Sequence, residues 1–323
     1  MTRVLPADPT GVAEAARLLR AGETIAFPTE TVYGLGADAS DPAAVAKIYA
    51  AKDRPRFNPL IAHLPSVDAA LAPGAFDQTA QRLAEAFWPG PLTLVVPVVD
   101  GTQVSDLARA GLDSVALRVP AHPVARALLE LVGRPVVAPS ANRSGRVSPT
   151  TADHVLADLD GRIAAVLDGG ATSVGVESTI VACLHGAVTL LRPGGVPREA
   201  IVAVLGAITL TEPAIDPHAP RAPGLLASHY APRARVRLAA TRIEPGEAAL
   251  LFGPFAPAGS GSAAASLNLS EAGDLTEAAA RLFASLRALD ASGAASIAVA
   301  PIPEVGLGEA INDRLRRAAA PRS

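Results

Sequence analysis

Apolar residues in the first two hundred positions recur in two patterns. Short runs dense in aliphatic residues predict strands at TIAF (24–27), PLIAHL (59–64), LTLVVPVV (92–99), VALRVP (115–120) and PVVAPS (135–140). AAVLDGG, ESTIVACL and AVTLLRPG predict three more, placed like hairpin neighbours near 163–192. Helical segments separate them. Asp8 or Thr10 can cap one through Leu19, with Gly22 past its end, and Ser40-Asp41-Pro42 opens another. Further helices are expected around 79–87 and 122–132, and Thr150 or Thr151 caps one more. Such alternation predicts an α/β domain, and the close neighbours near 163–192 predict a mixed rather than purely parallel sheet.

The pattern breaks at 207–232, which is rich in Pro and without sustained period, and reads as an extended linker that covers something. Beyond it RVRLAA, EAALLFG and SIAVAP predict strands, 274–289 and 307–318 predict amphipathic helices, and APAGSGSAAAS predicts a flexible loop. The chain therefore divides into an α/β domain over 1–206, a linker over 207–232 and a small α/β domain over 233–323. A length of 323 agrees with about two domains.

Composition narrows the function. With 50% hydrophobic and 18% charged residues, wholesale disorder is excluded. A net charge of −3 argues against a protein whose main work is gripping nucleic-acid phosphates. The single Cys183 excludes an intramolecular disulfide and a Cys-cluster metal site. No apolar run reaches the ~18–20 residues of a membrane span, and MTRVLPADP lacks a signal peptide's apolar stretch, so a cytoplasmic location is expected.

Five segments concentrate chemistry. Residues 27–36 pack hydroxyls, Glu30, Gly34 and Gly36 behind a strand, either as a capped turn or as a loop whose backbone approaches a ligand. Residues 52–63 carry Lys52, Arg54 and Arg56 at alternate positions, then Asn58 and His63. This is a solvated charge run or a polyphosphate clasp, and a chain with only two lysines places both, Lys47 and Lys52, beside it. On the strand at 114–118, alternation puts Ser114, Ala116 and Arg118 on one face. An Arg there needs an internal carboxylate or an anionic ligand. Residues 138–149 gather Ser140, Asn142, Ser144 and Ser148 behind a strand end, a usual place for ligands in α/β sheets. The fifth joins 168–179, with Ser178, to Arg192. No Walker A loop, HExxH or hydrolase Ser/His/Asp order is present.

Together these segments resemble the threonylcarbamoyl-AMP synthase family, the YrdC-type fold in its long two-domain form. The resemblance is carried in family order by PTETVYGLG (28–36), KDRPRFNPLIAH (52–63), WPGPLTLV (88–95), AGLDSVALRVPAHP (110–123), APSANRSG (138–145), SPT (148–150), DGG (168–170), GVESTI (175–180), LRPG (191–194) and APGLLASHYAP (222–232). It implies a YrdC-like catalytic domain, a twisted mixed sheet with a concave, positively lined cavity, followed by a small Rossmann-like α/β domain. It implies a nucleotidyltransferase that makes threonylcarbamoyl-AMP and pyrophosphate from L-threonine, bicarbonate and ATP. ATP is a substrate with Mg²⁺, without a protein-bound structural metal. A partner transferase moves the group to the adenosine beside the tRNA anticodon, so tRNA is met only indirectly, and no membrane is involved. By motif, Thr31, His63, Arg118, Ala138 and Ser178 are the expected threonine-binding positions. Lys52, Arg54, Asn58, Ser114, Ser140, Ser148 and Arg192 are expected on the ATP side, with Lys52 and Arg54 stabilising charge on departing pyrophosphate. His63 is the single weak candidate for a general base. Ala227 stands where the family linker carries a residue that reaches the nucleotide, so a weaker lid contact is expected. An RNA-binding module of the same fold without synthase activity is the alternative. The net charge and 3% aromatic content oppose it.

Overall fold

The computed structural model describes residues 1–54, 58–212 and 230–321. Among these, eleven strands form one large sheet: β1 (Arg3–Pro6), β2 (Ile25–Phe27), β3 (Gly34–Asp38), β4 (Ile61–His63), β5 (Leu92–Pro97), β6 (Ser114–Arg118), β7 (Val136–Val137), β8 (Ala165–Asp168), β9 (Thr179–Leu184), β10 (Ala187–Arg192) and β11 (Leu210–Thr211). Their spatial order is β1-β8-β2-β3-β7-β4-β6-β5-β9-β10-β11, with parallel and antiparallel pairs interspersed, so the sheet is mixed as expected. The helices are α1 (Pro9–Arg20), α2 (Pro42–Lys52), α3 (Val67–Leu71), α4 (Gln78–Phe87), α5 (Asp106–Arg109), α6 (Pro123–Val132), α7 (Ala152–Leu159) and α8 (Arg198–Leu205).

Local chemistry sets the helix starts. Asp8 accepts from the Gly11 N–H, Asp41 from that of Ala43 with Pro42 following, and Thr151 from that of His154. Leu19, Leu128 and Leu129 of α1 and α6 cover one part of the sheet; Val45, Leu83, Val155 and Ile201 of four other helices cover another. Ile61, Val95, Ala116, Ile180, Ala182 and Leu191 form a separate cluster to which no helix of the described residues contributes. One member of that strand-only patch, Ile61, lines the pocket described below.

Three expectations change. Residues 34–36 were expected within a turn, yet they open β3, which is antiparallel to β2 and β7. Gly36 sits in that strand because an added Cβ would lie 2.9 Å from the Phe27 ring and 3.1 Å from Val136. The first residues of the expected linker continue the sheet, since β11 pairs in parallel with β10. Residues 213–229, Ala227 among them, lie outside the described residues. The loop APAGSGSAAAS contains a short 3₁₀ turn and already enters a strand at Ala265.

The second sheet has four parallel strands, β12 (Arg235–Arg237), β13 (Ala248–Leu251), β14 (Ala265–Asn268) and β15 (Ser296–Val299), in the order β12-β15-β13-β14. Helices α9 (Leu275–Ala291) and α10 (Leu307–Ala319) complete it. Its core continues into the first domain: Leu282, Phe283 and Ile311 share a cluster with Val32, Val147, Val176 and Tyr230. No helix of the described residues is long and apolar enough to cross a membrane.

Candidate functional site

Strand register assembles the pocket. β4 and β6 run parallel with His63 opposite Arg118, and Ala138 follows β7 with its N–H on the Ile61 carbonyl. Arg192 ends β10 opposite Ile180 of β9, beside Ser178. The loop between β2 and β3 folds over these strand ends and delivers Thr31 and Val32. The resulting pocket, partly open to solvent, is lined by Thr31, Val32, Arg54, Ile61, His63, Arg118, Ala138, Pro139, Ser140, Glu177, Ser178, Arg192 and Tyr230.

Of the twelve sequence candidates, Thr31, Arg54, His63, Arg118, Ala138, Ser140, Ser178 and Arg192 meet in this pocket. Lys52, Asn58, Ser114 and Ser148 are not part of its lining. Ser114 shares the Arg118 face but opens β6, about 13 Å away at ~3.3 Å per strand residue. The Lys52 ammonium donates to the Ser140 carbonyl at 2.5 Å and to that of Asn142, so it braces the loop that carries Ser140. Ser148 donates to the Glu177 carboxylate at 2.5 Å and stands behind the wall.

One end of the pocket is built around Arg118. Its Nη2 donates to Glu30 at 2.6 Å, both side chains being nearly buried, while Nε reaches the Gly90 carbonyl at 3.4 Å. The other Glu30 oxygen accepts the N–H groups of Ala121 (3.0 Å) and His122 (3.3 Å). Of the two partners the strand pattern allowed, the internal carboxylate is present, and the guanidinium still lines the pocket. Burial alone would raise the Glu30 carboxyl, but the Arg118 charge and hydrogen bonds hold it below its usual range. His63 Nδ1 faces the Ile61 carbonyl at 3.1 Å, so Nδ1 carries the hydrogen and Nε2 keeps a lone pair. Burial, then the Arg118 charge, push this imidazole down to about 3. His63 is therefore neutral near pH 7 and too weak a base to take a proton from an ammonium. Thr29 gives its only hydroxyl hydrogen to the Val32 carbonyl at 2.7 Å, so Thr31 must donate to Thr29 at 2.8 Å. The lone pairs of Thr31 Oγ1 are left to accept.

The other end is cationic. Arg54 is 8% exposed, makes one long bond to the Pro59 carbonyl at 3.4 Å, and its buried Nε has no partner. No carboxylate among the described residues pairs with it. Burial pulls it down to about 10, with Tyr49 and Tyr230 opposing and Arg192 adding to the fall. Nearby, the Asn58 amide oxygen is likewise buried without a partner. Arg192 donates Nε (3.2 Å) and Nη2 (2.8 Å) to the Ser178 carbonyl, and Ser178 Oγ lies 2.8 Å from that of Thr93. Burial lowers Lys52 far below its ordinary value, with Arg54 adding repulsion. Three guanidinium groups of the lining (Arg54, Arg118 and Arg192) thus stand with one lining carboxylate, Glu177. Buried polar atoms left unsatisfied are costly, and a bound anion would accept from Arg54 Nε.

The candidate set omitted Glu30, which pairs with Arg118, and the lining residues Glu177 and Tyr230. The signal for Glu30 was present, since a strand Arg needs a counter-ion. Nothing in local pattern marked the other two.

Three guanidinium groups, two at strand ends and Arg54 after α2, gather beside loops rich in hydroxyl and backbone donors, an arrangement suited to small anionic ligands. Known proteins agree. Residues 17–194 match the Sua5/YciO/YrdC family described as telomere recombination, and residues 196–320 match the threonylcarbamoyl-AMP synthase C-terminal domain. The chain is 41% identical to threonylcarbamoyl-AMP synthase of Bacillus subtilis, covering 100% of this chain and 96% of that protein. It is 43% identical to the enzyme of the same name from Pyrococcus abyssi, covering 94% and 92%. The crystal structure of P. abyssi Sua5 complexed with L-threonine superposes with a TM-score of 0.87 at 37% identity, over 99% of this chain and 97% of that one. The chain belongs to the threonylcarbamoyl-AMP synthase family.

Proposed function

We propose that this protein is an L-threonylcarbamoyladenylate synthase, a nucleotidyltransferase that converts L-threonine, bicarbonate and ATP into threonylcarbamoyl-AMP and pyrophosphate. The observation that carries the reading is Arg54: a buried guanidinium with an unpartnered Nε and no carboxylate among the described residues, in one pocket with Arg192 and Arg118.

In this reading Arg118 binds the amino-acid carboxylate, with Glu30 holding the guanidinium in place; such a charge-assisted bond contributes about 1.5–3 kcal/mol. His63 Nε2 and Thr31 Oγ1 accept hydrogens from the ligand's hydroxyl and amine, and Ser178 adds a third polar contact. Acceptors committed to a hydroxyl reject an amino acid without one. The uncharged amine attacks carbon dioxide to give a carbamate, its surplus proton passing to solvent; with bicarbonate as the carbon source, one water leaves instead. A carbamate oxygen then attacks the α-phosphorus of ATP, the bond to the bridging oxygen breaks, and pyrophosphate leaves with that electron pair. Arg54, Arg192 and Ser140 face the phosphates, while Lys52 adds charge from below and fixes the Ser140 loop. Catalysis is positioning and charge stabilisation. Mg²⁺ enters as part of the ATP substrate. Residues 1–206 carry the chemistry, 207–232 link, and 233–323 support the pocket. The product passes to a transferase acting on tRNA in the cytoplasm.

Mass spectrometry of the product from ATP, bicarbonate and each of threonine, serine and valine tests this. Threonylcarbamoyl-AMP with threonine-dependent pyrophosphate release is expected, valine being the poorest substrate. Nucleotide turnover indifferent to the amino acid overturns the assignment. Arg118→Ala is expected to raise the threonine KM by roughly tenfold or more; a normal threonine KM removes the carboxylate role.

A further inference from the structure

A fully buried cation of the second domain is directed at the first. Arg314 lies on α10 and has no solvent exposure. Its Nε donates to Glu177 Oε2 at 2.7 Å, Nη2 to the Pro193 carbonyl at 3.0 Å, and Nη1 to its neighbour Asp313 at 2.6 Å. Its guanidinium carbon is 5.2 Å from the centre of the Tyr230 ring, whose other face stacks on Phe283 of α9. Glu177 and Tyr230 line the pocket, and Arg314 does not.

Glu177 is misplaced by charge alone, because it puts an anion in the wall of a cavity that takes a triphosphate. Burial by itself would favour its neutral form, yet Arg314 and Arg192, with the Ser148 and Arg314 hydrogen bonds, keep it ionised. Its charge must therefore be cancelled in place. Arg192 is already directed at the Ser178 carbonyl, whereas Arg314 approaches Glu177 from the side away from the cavity. Asp313 in turn is shared with Arg317 at 3.0 Å, so the signs alternate from the pocket wall out to the surface of α10.

We propose that Arg314 is a positioning residue of the synthase, supplied by the second domain to hold and neutralise Glu177 so that the pocket wall meets ATP with a net positive face. This rests on the functional reading above. It explains why a domain that contributes no side chain of its own sheet or helices to the pocket lining is joined to it by a buried ion pair.

The test uses the full chain and the variants R314M, R314K and the double variant R314M/E177Q. Steady-state kinetics give KM for ATP and for threonine, and calorimetry with a non-hydrolysable ATP analogue gives affinity without turnover. One uncompensated charge about 10 Å from the phosphates, at an effective dielectric of ~20, weakens ATP binding on the order of tenfold. R314M is thus expected to raise the ATP KM by about that factor and leave the threonine KM within about twofold. R314M/E177Q, which removes both charges, and R314K, which keeps the cation, are expected within about threefold of the parent for ATP. If R314M fails to fold, R314K and the double variant carry the test. A double variant tenfold weaker for ATP, an R314K equally weak, or equal losses for both substrates in R314M overturns the proposal. Should the parent protein bind the analogue yet make no threonylcarbamoyl-AMP, the functional reading falls while the affinity series still decides the role of Arg314.

Discussion

Glu30→Gln is the most direct probe of the pocket's internal electrostatics. The Glu30 carboxylate receives three donors: the Arg118 guanidinium at 2.6 Å and two backbone N–H groups at 3.0 and 3.3 Å. Gln has the same shape, but one oxygen becomes an amino group that must face either the guanidinium or the amides, donor against donor. Removing one member of a buried ion pair costs about 3–5 kcal/mol, and because Gln keeps one acceptor, the low end of about 3 is expected. For a unit of this size 1 kcal/mol moves Tm by about 2–4 °C, so a fall of roughly 6–12 °C follows. The pH dependence has a definite sign. The folded carboxyl is held below its ordinary 4.5, so its contribution is fully present above that value and is lost as pH falls through the folded value. The parent and variant melts should therefore differ most near neutrality and converge in acid. Thermal unfolding followed by circular dichroism from about pH 7.5 down to about pH 2 measures this. Equal melting near neutrality, or a gap unchanged in acid, refutes the reasoning.

Arg54→Met is expected to leave the melting temperature of the free protein unchanged or higher, because it removes an unpaired buried charge, while raising the ATP KM about tenfold or more; a marked loss of stability contradicts this. Burial holds His63 near 3, so the threonine KM should show no His63 step between about pH 6 and 8; an inflection there that disappears in His63→Asn refutes the neutral assignment. Gly175 has φ of +77°, and an added Cβ would lie 2.3 Å from the Ala279 carbonyl oxygen of α9. Gly175→Ala should therefore cost about 2–4 kcal/mol in denaturant unfolding, and a neutral result would show that the two domains can separate locally without penalty.

Features with a local cause were legible in the sequence. Asp8, Asp41 and Thr151 cap the helices they precede, and alternation along 114–118 placed Ser114, Ala116 and Arg118 on the face that meets the pocket. Alternation names a face but not an end, which is why Ser114 shares the face and misses the pocket. β3 was hidden because its two glycines read as turn residues, while their true cause is close packing, of Ala138 on Gly34 and of Phe27 and Val136 on Gly36. Glu30 and Arg118 lie 88 positions apart, and Glu177 and Arg314 lie 137 apart. Only tertiary structure joins them, so Arg314, placed in a domain with few motif matches, gave no sign of its bearing on the pocket.

The apolar cluster that runs from Val32, Val147 and Val176 into α9 and α10 constrains how this architecture can vary between proteins. A protein reduced to the first sheet would leave three valines wet and one carboxylate without its counter-ion. A short relative must therefore carry polar or smaller groups at these positions, and a different answer at Glu177. Separating the two domains and repainting the pocket's rear wall are therefore one change, not two.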